Sequence, residues 1–320
     1  MLTRRAALTA MAGLIGAPAA RAQTFPSRNI SIVVPYPAGG PVDAVARLIA
    51  QSPALGQSIV VDNRGGGSGM IGTAAVARAE PDGHTLVLGT NQTHATNQSL
   101  IKNCPYDAVK DFSAVAGIAD IPHALVLRRG LEADSVAALV ELAKQSPGAL
   151  NYGSTGNGSA SHLAAELFKL KAGVDLLHVP FRGAAPMTTE LLAGRIDVTF
   201  VTLPSVIGYL DAGVLRALAV ASPKRTPRLP NLATLAEAGV SGVEADAWFA
   251  LFAPARTPDA VLDRLYRAVS AVLTSEPASK AIVAQGMTLA LRTPGEVAAW
   301  LPGEVTKWAA VIKAAGVVVE

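Results

Sequence analysis

Short apolar runs alternate with segments whose apolar residues recur at helical spacing along most of the chain. The first run is 30–34, and the apolar positions of the next segment, from 42 to 49, return every three or four residues. Further apolar runs predict strands at 59–63, 85–89, 124–128, 196–201, 216–221 and 247–253, with short strands starting at 150 and leading into 178–183. Residues 105–115 show no such pattern and are expected to be irregular. The alternation predicts an α/β protein.

The strand–helix units form two sets, and the chain length fits about two domains. The first set ends near residue 120, the second runs from about 123 to 245, and a late strand with helices follows. We therefore predict an α/β fold with two lobes. Domain 1 comprises residues 23–122 plus 246–320 and domain 2 comprises residues 123–245, so the chain crosses twice and a ligand cleft lies between the lobes.

Residues 1–22 have the features of a secretory signal peptide. Arg4 and Arg5 precede an apolar stretch at 6–17, and Ala20-Arg21-Ala22 has the small-x-small pattern of a cleavage site. We expect export to the periplasm with cleavage after Ala22. The arginine pair also leaves twin-arginine export open, but the usual aromatic residue of that signal is missing.

The net charge of +3 originates in this leader. Subtracting its three arginines from 27 basic residues leaves 24 against 24 acidic residues. A neutral chain without a basic stripe argues against nucleic-acid binding. No later apolar run approaches the ~20 residues of a membrane span. Cys104 is the only cysteine, so no internal disulfide forms.

Two Gly-rich loops that join a strand to a helix are candidate anion sites. The first is Pro37, Ala38, Gly39 and Gly40, whose backbone N–H groups are expected to face open space at the helix start. The second adds hydroxyl groups to the backbone donors and consists of Ser154, Thr155, Gly156, Asn157, Gly158 and Ser159. We interpret both loops as carboxylate-binding, and ordinary βα turns remain the alternative.

Other polar groups follow strand ends. Thr90 and Asn91 begin an uncharged polar run, 90–98, at the carboxyl end of a strand, where ligands of open α/β sheets bind. A solvated surface loop is the alternative there. Arg182 follows another strand and either pairs with a ligand carboxylate or closes a salt bridge between domains.

The sequence contains incomplete motifs for dinucleotide binding, for hydrolysis and for metal binding. Gly67, Gly69 and Gly72 fit G-x-G-x-x-G, but no acidic residue ends the next strand, which argues against a dinucleotide. Ser154 lacks an obvious base, and the pair His162 and Glu166 favours a surface contact on one helix face over a metal site. We predict no catalytic residue, metal or cofactor.

The chain resembles the Bug proteins, which are the TctC-like extracytoplasmic solute receptors of tripartite tricarboxylate transporters. The resemblance covers the mature chain and rests on ordered motifs: 33–40 (VVPYPAGG) with Asp43 and Arg47, 69–72 (G-x-x-G), 81–85 (PDGHT), 151–154 (NYGS), 178–183 (HVPFRG) and 248–254 (W-x-x-L-F-A-P). It implies a two-lobed fold of the type II periplasmic binding-protein kind. It also implies a periplasmic receptor, not an enzyme, that closes on a carboxylate and delivers it to TctA/TctB-like membrane permease subunits.

The resemblance also implies that both Gly-rich loops bind the ligand and that Phe181, Arg182 and Gly183 line the cleft. Phe181 stands where a tyrosine is frequent in the family. The missing hydroxyl group makes the site less polar, which favours an aromatic acid as the ligand. Pro302 departs from the family pattern in the last helix and should kink or restart it. We expect a monomer.

The identity of the ligand stays open at this point. A site built from uncharged hydrogen-bond donors suits several ligand classes: dicarboxylates, tricarboxylates, acidic amino acids and aromatic carboxylates such as terephthalate. A periplasmic hydrolase or lyase using Ser154 or His162 is the competing class. A subunit that presents its ligand to a sensor kinase is a third.

Overall fold

Two β-sheets organise the computed structural model, which describes residues 25–318. The strands are β1 (Ile30–Val34), β2 (Ile59–Asn63), β3 (Thr85–Thr90), β4 (Phe112–Ile121), β5 (His123–Leu127), β6 (Asn151–Ser154), β7 (Leu177–Pro180), β8 (Val198–Thr202), β9 (Arg216–Val220), β10 (Ala247–Pro254) and β11 (Thr288–Arg292). The helices are α1 (Pro41–Ala50), α2 (Met70–Ala77), α3 (Asn97–Leu100), α4 (Val136–Gln145), α5 (Ala160–Ala172), α6 (Ala184–Leu192), α7 (Leu203–Asp211), α8 (Asp259–Leu273), α9 (Glu276–Ala284) and α10 (Pro294–Ala314).

Each sheet forms the centre of one lobe. The first lobe has the six-stranded order β11-β4-β10-β3-β1-β2, and the second has the five-stranded order β7-β6-β8-β5-β9. Strands β1, β2 and β3 run parallel, whereas β10 is antiparallel to β3 and β4. The carboxyl ends of β1 and β3 and the start of β10 therefore meet at one edge of the first sheet. The predicted α/β two-lobed fold is confirmed.

The chain passes between the sheets at two adjacent crossovers. It leaves the first sheet at Pro122, between β4 and β5, and returns just before β10. The His123 ring nitrogen Nδ1 lies 2.8 Å from the carbonyl oxygen of Ala245, so a side chain ties one crossover to the other. Burial lowers the pKa of His123 to about 4, which keeps this ring neutral. The crossovers form a paired connection suited to a hinge.

Three sequence expectations differ from the structure. Strand β4 replaces part of the irregular segment expected at 105–115, and β11 was also not predicted. Strand β4 is rich in alanine and glycine, so its strand propensity is low, but pairing with β10 and β11 fixes it. Residues 90–98 do not form a surface loop: a buried π-helical turn, Gln92–Thr96, leads into α3.

Helix α10 runs through Pro302 as one element, so the helix does not restart there, and a kink at Pro302 stays a prediction. Trp248 and Trp308 are buried, and both indole N–H groups donate to Glu304 Oε2. The leader predicted at 1–22 lies outside the described residues. Within 25–318, no helix has both the length and the apolar character that a membrane span requires.

Asp246 at the returning crossover should make folding stability depend on pH. Its carboxyl group accepts a hydrogen bond from the Ser222 hydroxyl, and burial, with further contributions from Asp120 and Glu304, raises its pKa to about 7. An unfolded aspartate ionises near 3.8, so this group lowers the free energy of unfolding as pH rises from about 4 to about 7.

We expect Asp246→Asn to remove this fall in the free energy of unfolding at higher pH. In urea titrations, the variant should gain roughly 2 kcal/mol over wild type between pH 5 and pH 8. Parallel pH profiles for the two proteins would show that Asp246 ionises normally.

Candidate functional site

A cavity of about 590 Å³ lies between the lobes, a size that suits a small-molecule ligand. Its walls come from the first lobe (Tyr36, Pro37, Ala38, Gly39, Gly40, Pro41, Val42, Asp43, Thr90, Asn91, Gln92 and Phe249) and from the second (Thr155, Ser159 and Ala160). Asp43 is the one charged residue among these described wall residues. Any anion bound here would be held by neutral donors.

The start of helix α1 forms one wall, and its loop is held by Asp43. The carboxylate oxygen Oδ2 accepts hydrogen bonds from Gly39 N and from Arg47 Nε, each at 2.9 Å, and Oδ1 accepts one from Asn63 Nδ2 at 3.0 Å. The bonds from Arg47 and from Gly39 lower the pKa of Asp43 to about 2, so it stays ionised. The expectation that the Gly39 N–H faces open space is therefore wrong.

Other donors at this helix start remain available. Gly40 is the N-terminal cap residue, and Pro41, which has no N–H group, opens the helix. Within residues 25–318, the N–H groups of Ala38 and Gly40 donate to no other residue. Together with the positive end of the helix dipole they can bind a carboxylate oxygen.

The start of helix α5 forms the facing wall, but most N–H groups of its loop are already occupied. Thr155 N donates to Ser161 Oγ (2.8 Å), Gly156 N to Ser154 Oγ (3.2 Å) and Gly158 N to His162 Nδ1 (3.0 Å). The loop therefore does not offer the row of free backbone donors expected from its glycines. Among the described contacts, three N–H groups of this region donate to no other residue: that of Asn157, which is not a wall residue, and those of Ala160 and Ser161 in the first turn of α5.

Two hydroxyl groups supplement that helix start. Thr155 Oγ1 and Ser159 Oγ each lie 3.0 Å from Ser161 Oγ. Ser161 Oγ has two lone pairs, and one already accepts from Thr155 N, so it can accept from only one of these hydroxyls and donates its own proton to the other. At least one of the two hydroxyls can therefore turn its proton toward the cavity.

Polar groups after β3 complete the walls. Tyr36 OH lies 2.9 Å from Thr90 Oγ1 and 3.1 Å from Gln92 Oε1. Burial raises the pKa of Tyr36 to about 12, so it remains a neutral donor. The side-chain NH₂ groups of Asn91 and Gln92 donate to no described residue, and both residues line the cavity.

The structure separates the residues proposed from the sequence into two groups. Those that line the cavity are Pro37, Ala38, Gly39, Gly40, Thr90, Asn91, Thr155 and Ser159. Those that lie outside its walls are Ser154, Gly156, Asn157, Gly158, Phe181, Arg182 and Gly183. Phe181 packs against the apolar core of the second lobe, and Arg182 is exposed and forms no ion pair with the described residues.

The wall residues that sequence reasoning did not propose as ligand-binding are Tyr36, Pro41, Val42, Asp43, Gln92, Ala160 and Phe249. Tyr36 belongs to the motif 33–40, in which the glycines indicated the anion site. Phe249 belongs to the predicted strand 247–253, which is apolar throughout. Phe249 lines the cavity because β10 starts at the edge where β3 ends, pairing Phe249 with Thr90. No pattern in the sequence alone indicates that pairing.

The structure differs from two expectations, one about a base for Ser154 and one about the exposure of His162 and Glu166. Ser154 does have a potential base, since its Oγ lies 2.7 Å from His178 Nε2, but the serine is fully buried. His162 and Glu166 are buried rather than in surface contact. The part of the chain described contains no group of three or more His, Cys, Asp or Glu residues placed to hold a metal ion.

Known proteins are similar to this chain in sequence and in architecture. The family described as "Tripartite tricarboxylate transporter family receptor" matches residues 45–317. Protein BugT of Bordetella pertussis is 36% identical over 298 residues, covering 92% of this chain and 91% of BugT.

Two solved structures carry ligands. R. palustris Rpa4515 with adipate is 39% identical with a TM-score of 0.80, covering 92% of this chain and 100% of that chain. MatC (Rpa3494) from Rhodopseudomonas palustris with bound malate is 32% identical with a TM-score of 0.76, covering 90% and 100%.

Proposed function

This chain belongs to the tripartite tricarboxylate transporter receptor family, whose members are periplasmic solute receptors and not enzymes, and on that premise we propose that it binds a small dicarboxylate. The observation that carries the proposal is the pair of helix starts, α1 and α5, that line one cavity from the two lobes. Each helix start favours an anion. A ligand with a carboxylate at each end would satisfy both.

Apolar wall residues support an aliphatic part in such a ligand. Phe249, Val42 and Pro37 supply apolar surface to the cavity. The relatives solved with adipate and with malate both hold dicarboxylates, which supports the same class for this chain.

The other ligand classes fit less well. An acidic amino acid brings an ammonium group that needs an acidic partner, and Asp43, the one acidic residue among the described wall residues, already forms an ion pair with Arg47. A tricarboxylate brings a third charge without any lysine or arginine among the wall residues described. Phe181, the residue that favoured an aromatic acid, is not a wall residue of the cavity.

We extend the proposal to the cellular role. The chain is exported, loses residues 1–22, and folds as domain 1 (23–122 plus 246–320) and domain 2 (123–245). The lobes close on the ligand by bending at the paired crossovers, and the closed form delivers it to TctA/TctB-like permease subunits.

A thermal-shift screen tests the proposed ligand class. The mature protein would be heated with succinate, malate, glutarate, adipate or pimelate, and with the diamide of each acid. A ligand that binds only the folded state stabilises it by about 2.7 kcal/mol at a hundredfold excess over its dissociation constant. We expect a rise in melting temperature for at least one acid and none for its diamide. Equal shifts for acids and diamides, or no shift at all, would refute carboxylate recognition.

A further inference from the structure

Three aromatic rings stack near the start of α5, and none of them belongs to a wall residue of the cavity. The Tyr152 and His178 ring centroids are 4.8 Å apart, and the His178 and His162 centroids are 3.9 Å apart with an interplanar angle of 10°. Tyr152 and His162 are buried. The stack fixes the plane in which the His162 ring lies.

His162 contacts the ligand-facing turn at two points. Its Nδ1 accepts the hydrogen bond from Gly158 N at 3.0 Å, and its own backbone N–H donates to Ser159 Oγ at 3.3 Å. Because Nδ1 accepts, the proton of the neutral ring is assigned to Nε2. One residue therefore holds both Gly158 and the Ser159 hydroxyl that lines the cavity.

His178 supports the other end of the same loop. Ser154 Oγ lies 2.7 Å from His178 Nε2 and accepts a hydrogen bond from Gly156 N. Neither histidine is a wall residue of the cavity. Both act on the loop rather than on a ligand.

We propose that His162 is a positioning residue for ligand binding: its neutral ring, held by His178, fixes the Gly158–Ser159 turn so that Ser159 and the first turn of α5 face the ligand. This inference rests on the proposed function, because it concerns the donors that would bind the dicarboxylate.

The surroundings of the ring favour its neutral form. From β7, His178 faces His162; from β6, the Tyr152 hydroxyl donates to Glu166 at 2.5 Å; on α5 itself, Glu166 pairs with Lys169 at 3.0 Å. Burial lowers the pKa of His162 to about 4, and burial also lowers the pKa of His178. A protonated Nδ1 would point an N–H at the Gly158 N–H, so protonation would break the bond that holds the turn.

Two substitutions separate positioning from packing. His162→Asn places its Oδ1 one bond from Cγ, as Nδ1 is, and so retains the acceptor, whereas His162→Leu fills the space without an acceptor. We expect His162→Leu to weaken binding of the dicarboxylate found in the thermal screen by about tenfold or more, since Gly158 N–H is left unpaired. His162→Asn should recover most of that loss. Equal weakening in both variants, or none in either, would overturn the proposal.

Hydrogen exchange of the Gly158 amide gives a readout that needs no ligand. Its protection should persist in wild type and His162→Asn at neutral pH and be lost in His162→Leu. Should His162→Leu fail to fold, His162→Gln, whose oxygen lies one bond too far along the side chain, takes its place. If wild type binds no dicarboxylate, the proposed function fails, and a Gly158 amide equally protected in all variants would independently refute the role of His162.

Discussion

Replacing Ala160 with aspartate should abolish ligand binding while leaving the protein folded. Ala160 is the first residue of α5 and lines the cavity. A carboxylate there would occupy the anion position at the helix start and repel an incoming carboxylate. Aspartate in the first turn of a helix is favourable for the helix itself, so stability should be retained. We expect at least about a hundredfold loss of affinity, because the two like charges would share one desolvated site.

Ala160→Asn is the matched control, because it adds the same bulk without the charge. We expect its affinity to fall about tenfold or less, and we expect both variants to melt near the wild-type temperature. Calorimetric titration with the dicarboxylate that gives the largest thermal shift provides the affinities. If Asn and Asp reduce affinity equally, bulk rather than charge decides, and α5 does not bind an anion.

The second large effect is expected at Asp43. Asp43→Asn keeps the shape but loses the charge that pairs with Arg47. Its NH₂ group would face either the Gly39 N–H and Arg47 Nε, which share Oδ2, or the Asn63 amide, which donates to Oδ1. We expect the loop 37–40 to loosen, with an affinity loss of about tenfold or more and a loss of about 1 to 2 kcal/mol in the free energy of unfolding at pH 7. The stability figure allows for the solvent exposure of Arg47.

The pH dependence of this effect has a definite sign. Because the pKa of Asp43 is about 2 in the folded protein and 3.8 in the unfolded chain, its contribution to stability is present above about pH 4 and is lost as pH falls through 2. Wild type and Asp43→Asn should therefore converge in strongly acidic urea titrations. A stability difference that persists unchanged at acid pH would contradict ionisation as its cause.

Arg47→Gln is the control that separates the ion pair from the loop. It removes the pair but leaves the Gly39 N–H bonded to Asp43, and Arg47 is not a wall residue. We expect its affinity to stay within about threefold of wild type. An affinity loss as large as that of Asp43→Asn would show that the charge of Arg47 is what the ligand senses.

The architecture could be predicted from the sequence because its signals are local. Strand β1 is an apolar run, and the helical spacing of the apolar residues from 42 to 49 predicts the helix that the structure shows as α1. Strand β4 escaped prediction because its pairing partners, β10 and β11, lie more than a hundred residues away along the chain. Local propensity contains no information about such partners.

The site was predicted less completely, for a related reason. Glycine content located both loops, but it could not reveal which N–H groups are already occupied. The Gly39 donor is taken by a side chain four residues later, and Ser154 is turned inward by His178. Whether a loop N–H is available to a ligand depends on side-chain directions and long-range contacts, which only the folded chain defines.

Calorimetric titration of the wild-type protein with one dicarboxylate, its half-amide and its diamide is the most direct test of two-ended carboxylate recognition. We expect the diacid to bind, the half-amide to bind at least about tenfold more weakly, and the diamide to give no measurable heat of binding. Similar affinities for the diacid and the half-amide would show that only one helix start recognises a carboxylate. Equal binding of all three compounds would contradict anion recognition by α1 and α5 altogether.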